Sequence, residues 1–203
     1  MMRLDPDRTV LIDVDTQIDF VEPDGALYVP GAETLKPSFA RLLSAAKARR
    51  VPVIASADAH GPDDPEFTVF PPHCVAGTEG QRRVAETVPA RALTVPLDGS
   101  LPADRDHEAT LVLEKVKFDL FTHPAAERVI AETGATTAVV FGVALDYCVR
   151  AAALGLRERG YEAVVVRDAT APVTPEGGAS AEKELLAAGV RFATTADVLA
   201  ALG

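Results

Sequence analysis

Along the chain, short apolar runs alternate with amphipathic stretches. Residues 9–14 (TVLIDV), 51–57 (VPVIASA), 110–114 (TLVLE), 137–142 (TAVVFG) and 162–167 (EAVVVR) are rich in β-branched residues and lack a regular polar face. This is the pattern of strands buried on both sides. Between them the spacing predicts helices. The clearest covers residues 33–50, where Leu35, Phe39, Leu42, Leu43 and Ala46 form one apolar stripe at three-to-four spacing. Further helices are predicted over 124–133, 148–159, 175–188 and 196–202. Strands alternating with helices imply right-handed crossovers and a parallel sheet covered on both faces. The expected fold class is α/β: one domain over residues 1–203, with three layers α/β/α and a mostly parallel sheet of about six strands.

Two stretches break the rhythm. Residues 58–80 (DAHGPDDPEFTVFPPHCVAGTEG) form a long proline-rich insertion, and residues 96–108 a shorter polar one. Long loops in a compact α/β unit are more often functional than idle. In open parallel sheets the ligand crevice lies beyond the carboxyl ends of the strands, so the residues that follow each run matter most. They are Asp13, Asp15 and Asp19; Asp58 and His60; Lys115 and Lys117; Asp146 and Cys148; and Asp168. Acid, lysine and cysteine therefore approach one edge of the sheet from different strands.

Cys148 stands where an apolar run gives way to a helical pattern. A thiol at a helix start faces unpaired N–H groups, which favour the thiolate and predict a lowered pKa. The turn GVALDY just before it offers backbone donors for a developing oxyanion. A lone buried cysteine is ordinarily packing material, but a lysine that stabilises the thiolate and a carboxylate that accepts its proton change that reading. Local chemistry leaves open which aspartate and which of Lys115 and Lys117 take part. In the long loop, Asp58-x-His60, Glu66 and His73 combine carboxylate and imidazole, a set suited to a divalent cation, with zinc first and manganese or iron as alternatives.

Composition narrows the partners. Hydrophobic residues make up 48% and charged residues 25%, as in ordinary globular proteins, while the net charge of −10 and pI near 4.8 repel phosphate backbones and anionic lipid. The expectation is a small-molecule partner, no nucleic acid, no membrane, and self-association into a homo-oligomer. The charged start, MMRLDPDRTV, lacks a leader pattern, and two cysteines make no disulfide framework. A cytoplasmic location is expected.

Taken together, DTQIDF (15–20), DGAL (24–27), DAH (58–60), FPPHCVAGTEG (70–80), EKVKFDLF (114–121) and GVALDYCV (142–149) resemble the isochorismatase-like cysteine hydrolases, most of all the nicotinamidases. The resemblance spans nearly the whole chain. It implies a cysteine-dependent amidohydrolase turning nicotinamide and water into nicotinate and ammonia through a thioester. It further implies Asp15 as base, Lys115 as its charge partner, Cys148 as nucleophile, a cis peptide between Val143 and Ala144, and an oxyanion hole of the Ala144 and Cys148 N–H groups. Asp58, His60, His73 and, in some members, the position of Glu66 bind the metal, and Phe20 and Phe70 line a slot for a flat ring. Leu145, Phe70 and Val116 depart from the residues common there, which bears on the substrate. Other amides, or an isochorismatase-type vinyl ether, stay open within the family, although the metal set disfavours the ether. Two other readings rank lower: a haloacid-dehalogenase-like phosphatase using Asp13 of Asp-x-Asp, in which Gln17 breaks the pattern, and a non-catalytic binding module.

Overall fold

The computed structural model describes residues 2–105 and 109–203; residues 106–108, part of the second insertion, lie outside it. Seven parallel strands form one sheet in the order β3-β4-β2-β1-β5-β6-β7. They are β1 (Thr9–Val14), β2 (Val53–Asp58), β3 (Ala92–Val95), β4 (Thr110–Lys115), β5 (Thr137–Val143), β6 (Glu162–Ala171) and β7 (Arg191–Ala193). The helices are α1 (Ile18–Val21), α2 (Lys36–Arg49), α3 (Ala126–Glu132), α4 (Arg150–Glu158), α5 (Pro175–Ala187) and α6 (Thr195–Ala201). The sheet has one strand more than the sequence suggests. The edge strands β3 and β7 are four and three residues long and mostly solvent-facing, so neither carries a continuous apolar run that periodicity could detect.

Side-chain alternation along the central strands builds a core on each face. Val10, Ile12, Val14, Leu113, Val140 and Val165 pack with Val129 and Ile130 of α3, Ala152 and Leu156 of α4, and Leu185 of α5. Leu11, Val139, Phe141, Val164 and Val166 pack on the other face with Phe39, Leu42 and Ala46 of α2 and Val198 of α6. This is the expected three-layer arrangement. Within the helix predicted over 33–50, a 3₁₀ turn (Ala32–Leu35) leads into α2, with Pro37 in the first α-turn, where its missing N–H costs nothing.

Register sets the site. Asp58 and Lys115, the last residues of β2 and β4, lie opposite each other, and Val14 lies opposite Gly142. β2 and β4 therefore end level and run two residues beyond Val14, the end of β1. Gly142 is required there: its φ is +115°, and a Cβ would stand 2.0 Å from the Val14 carbonyl oxygen. Gly142→Ala is expected to destabilise the protein by about 2–4 kcal/mol through backbone strain and overpacking. An unchanged urea midpoint would contradict that assignment.

Candidate active site

Four strand ends bring the chemistry together. After β1 the backbone turns through Asp15 in a left-handed conformation (φ +48°). β2 and β4 end in Asp58 and Lys115. β5 ends at a cis peptide between Val143 and Ala144, after which a wide helical turn (Leu145–Val149) runs directly into α4. Cys148 therefore sits inside the first helical turn, which begins at Leu145, three residues before the helix start predicted from the sequence.

Lys115 is the hub. Its Nζ lies 2.8 Å from Asp15 Oδ2, 2.5 Å from Asp58 Oδ1 and 3.7 Å from Cys148 Sγ, and the residue is only 2% exposed. Ser56 Oγ donates to Asp15 Oδ1 at 2.7 Å. Lys117 is exposed, so the ambiguity between the two lysines is resolved by burial. Asp15, Lys115 and Cys148 converge as the sequence reading expected.

The electrostatics correct one expectation. Burial pushes the Cys148 thiol well above its usual range; the pull of Lys115 does not overcome it, and Asp15 and Asp58 add to the rise. A desolvated thiolate costs more than one turn of helix dipole returns. Burial likewise raises Asp15 against the attraction of Lys115, with Asp58 repelling it further. Burial works against charge on Asp58 too, but Lys115 and His60 outweigh it and hold Asp58 below the ordinary carboxylate range. For Lys115, burial is overcome by Asp15 and Asp58, which keep the ammonium firmly charged. The resting cluster is a protonated thiol beside a fixed cation, not a preformed thiolate.

The remaining strand-end acids have structural partners. Asp13 is buried in an ion pair with Arg83 and accepts from Thr16 Oγ1 at 2.9 Å. So paired, it is no free aspartyl nucleophile, which removes the main support for the phosphatase reading. Asp19 accepts from the N–H groups of Cys74 (2.7 Å) and Ala26 (3.1 Å) and so ties the long loop to the DGAL turn. Asp146 accepts from Val173 N–H at 2.9 Å, and Asp168 from Thr195 N–H at 2.6 Å, at the start of α6 and apart from the cluster. Sequence reasoning missed Gln17. Its amide donates to the Asp58 and Gln81 carbonyls at 2.8 and 2.9 Å and accepts from Asp58 N–H at 2.7 Å, pinning Asp58 on both sides. A single glutamine after a strand carries no local signal of that role.

Asp58, His60 and His73 are all buried, and their ligand atoms lie within 4.8 Å of one another. His60 Nε2 is buried without a hydrogen-bond partner and stands 3.7 Å from Asp58 Oδ2. His73 Nδ1 donates to the Pro71 carbonyl at 2.8 Å, which leaves its Nε2 as an acceptor. Two imidazole lone pairs and a carboxylate facing one space fit a divalent cation. Glu66 falls instead within the group His60, Asp64 and Glu66.

Beside both clusters opens a pocket that holds, with its mouth, about 560 Å³, a volume suited to a small molecule. Cys148, Ala144, Asp58, His73 and Glu66 reach it, as do Phe20, Phe70, Phe118 and Tyr147. Phe118 and Tyr147 pack edge-on, with centroids 5.2 Å apart, and each meets Phe70 at 6.3–6.4 Å. Among the described residues no lysine or arginine lines this pocket.

The Isochorismatase domain family model matches residues 9–197, a span that contains every residue of both clusters. The chain belongs to the isochorismatase family. Among its relatives, the nicotinamidase of Escherichia coli (strain K12) is 29% identical, over 95% of this chain and 97% of its own length. The ureidoacrylate amidohydrolase of Methylobacterium radiotolerans is 28% identical, over 85% of this chain and 70% of its own. The crystal structure of the pyrazinamidase of Pyrococcus horikoshii in complex with zinc superposes with a TM-score of 0.77 at 26% identity, covering 92% of this chain and 99% of that one. The chain is thus a hydrolase of that family with nicotinamidase relatives. Among the described residues no helix is long and apolar enough to cross a membrane.

Proposed function

We propose that this chain is a cysteine-dependent amidohydrolase acting on a neutral, flat heteroaromatic carboxamide, with nicotinamide as the reference substrate. The observation that carries the reading is the buried ammonium of Lys115, held against Asp15, Asp58 and the Cys148 sulfur just behind an aromatic pocket that Asp58 and Cys148 line. The E. coli relative is named for nicotinamide, a carboxamide of this kind, and the pyrazinamidase neighbour is described with zinc. The pocket chemistry also separates substrates. An anionic amide, such as the one the ureidoacrylate relative is named for, finds no lysine or arginine among the described lining residues and meets Asp58 and Glu66 instead.

In the proposed reaction Asp15 takes the thiol proton as the sulfur attacks the carboxamide carbon, and Lys115 balances the negative charge that passes between them. The backbone N–H groups of Ala144 and Cys148 receive the oxyanion. Protonated Asp15 returns its proton to the leaving nitrogen, the C–N bond breaks, and ammonia departs from a thioester. Water, deprotonated by Asp15, then cleaves the thioester, releasing the carboxylate and restoring the thiol. Phe20, Phe70, Phe118 and Tyr147 hold the ring and exclude water. Asp58, His60 and His73, with Glu66 nearby, would hold the divalent cation, zinc being the first choice for two imidazoles and a carboxylate. Such an ion supplies a Lewis-acid site for a ring-nitrogen lone pair.

The test is ammonia release by zinc-loaded protein from nicotinamide, pyrazinamide and an anionic amide, with and without iodoacetamide. Release from the aromatic amides, lost on alkylation, is expected; silence with every aromatic carboxamide overturns the reading. The pH profile follows from Asp15. Only its carboxylate form accepts a proton, and burial lifts it above its ordinary value of 3.8. Accordingly kcat/KM falls as the pH drops through a pKa higher than that of a solvated aspartate. Because the thiol titrates well above its ordinary value of 9.0, no second limb is expected where a free cysteine ionises. An acid limb at or below 3.8 would exclude Asp15 as the base.

A further inference from the structure

His60 makes one contact that the proposed reaction leaves unexplained. Its Nδ1 stands 3.0 Å from Asp64 Oδ2, while its Nε2 is buried without a hydrogen-bond partner. Asp64 is four residues on, in the proline-rich loop. Its other oxygen, Oδ1, accepts the Glu66 N–H at 2.9 Å and caps the 3₁₀ turn Pro65–Thr68. The loop is closed onto His60 a second time: His60 N–H donates to the Cys74 carbonyl at 3.1 Å, and Ala76 N–H to the His60 carbonyl at 2.9 Å. The backbone of His60 is therefore fixed, and its ring is held by Asp64.

We infer that Asp64 is a positioning residue for the metal centre, holding His60 in the tautomer that presents its Nε2 lone pair to the space shared with Asp58 and His73. An ionised carboxylate has acceptors only, so Nδ1 carries the proton and Nε2 is left as a ligand. With one carboxyl group, Asp64 both orders the turn that carries Glu66 and orients an imidazole. The inference rests on the metal reading proposed above. Removing such an outer carboxylate typically weakens metal binding by about 10–100-fold.

The experiment compares the parent with Asp64→Asn, Asp64→Ala and, as a neighbouring control, Asp63→Asn, since Asp63 is exposed and takes no part in either cluster. Zinc affinity is measured by competition with a chromophoric chelator. In parallel, ¹⁵N spectra of the imidazoles of metal-free protein at alkaline pH report the tautomer with no metal and no turnover. The expected result is a parent and Asp63→Asn that bind zinc alike, both Asp64 variants weaker by about 10-fold or more, and a His60 signal that moves from Nδ1–H toward Nε2–H. The asparagine side chain of Asp64→Asn retains an oxygen able to accept the Glu66 N–H, so this variant tests the ring contact even if Asp64→Ala fails to fold. A folded Asp64→Asn with parental zinc affinity and an unmoved tautomer overturns the inference and leaves the metal reading intact. A parent that binds no zinc overturns the metal reading itself.

Discussion

Cys148→Ala is expected to abolish amide hydrolysis, lowering kcat/KM by on the order of 10⁴–10⁶-fold, because Cys148 carries the only thiol among the described residues that line the pocket and the other groups of the proposed reaction act through it. The variant should fold. The sulfur belongs to a residue packed in a helical turn beside Leu145 and Val149, and loss of one sulfur atom removes little buried area. It also relieves the cluster of a group whose ionised form burial opposes. Zinc affinity should be unaffected, as Cys148 is not one of the three grouped ligands. The checks are single-turnover ammonia release, a urea melt and the chelator competition. Residual turnover within about tenfold of the parent would mean that the sulfur is not the nucleophile.

Lys115→Met carries the second large effect, on stability and activity together. The methionine matches the length of the lysine stem, so the change removes the charge and little packing. It leaves Asp15 and Asp58 buried with no ammonium between them, and an uncompensated buried charge costs about 3–5 kcal/mol. The loss depends on pH. Asp58 is held low by Lys115 in the parent, so its pairing stabilises the fold above the ordinary carboxylate pKa and is lost as the pH falls through the lowered one. In the variant both carboxyls protonate early, and a neutral carboxyl is far cheaper to bury. The deficit relative to the parent should therefore be largest near neutral pH and shrink in acid. Activity should drop by about 10³-fold, mainly in kcat, since the cation acts on charge that develops as the thiol loses its proton. Paired denaturation curves at neutral and acid pH, with kcat and KM measured separately, check both parts. A deficit that grows in acid would contradict the pairing.

Much of this site was legible before any coordinates, for a definite reason. The five central runs were rich in β-branched residues and lacked a regular polar face, which marks strands buried on both faces, and a parallel sheet places its chemistry at the strand ends. Asp15, Asp58, Lys115 and Cys148 are all strand-end residues, and they meet. The limits were physical as well. β3 and β7 lie at the sheet edges and are too short and too exposed to register as runs. Asp13, Asp19, Asp146 and Asp168 stand at the same kind of position as Asp15, yet each is taken up by a partner of its own, as Asp13 is by Arg83. Gln17 and Asp64 act by hydrogen bonds to one backbone segment and one ring, contacts that no periodicity encodes.

Sequence alone determined the order of the central strands and helices, the edge of the sheet where function gathers, and the kinds of side chain delivered there, because alternation and strand length are local properties of the chain. Tertiary structure decided which lysine is buried, which aspartate faces the sulfur, and that the thiol rests protonated. Those outcomes depend on desolvation and on charges contributed by separate strands: the partners of Lys115 lie 33 residues away at Cys148 and 57 at Asp58. A lone helix start predicts an acidic thiol; the packed protein surrounds that thiol with carboxylates and apolar walls, and burial prevails.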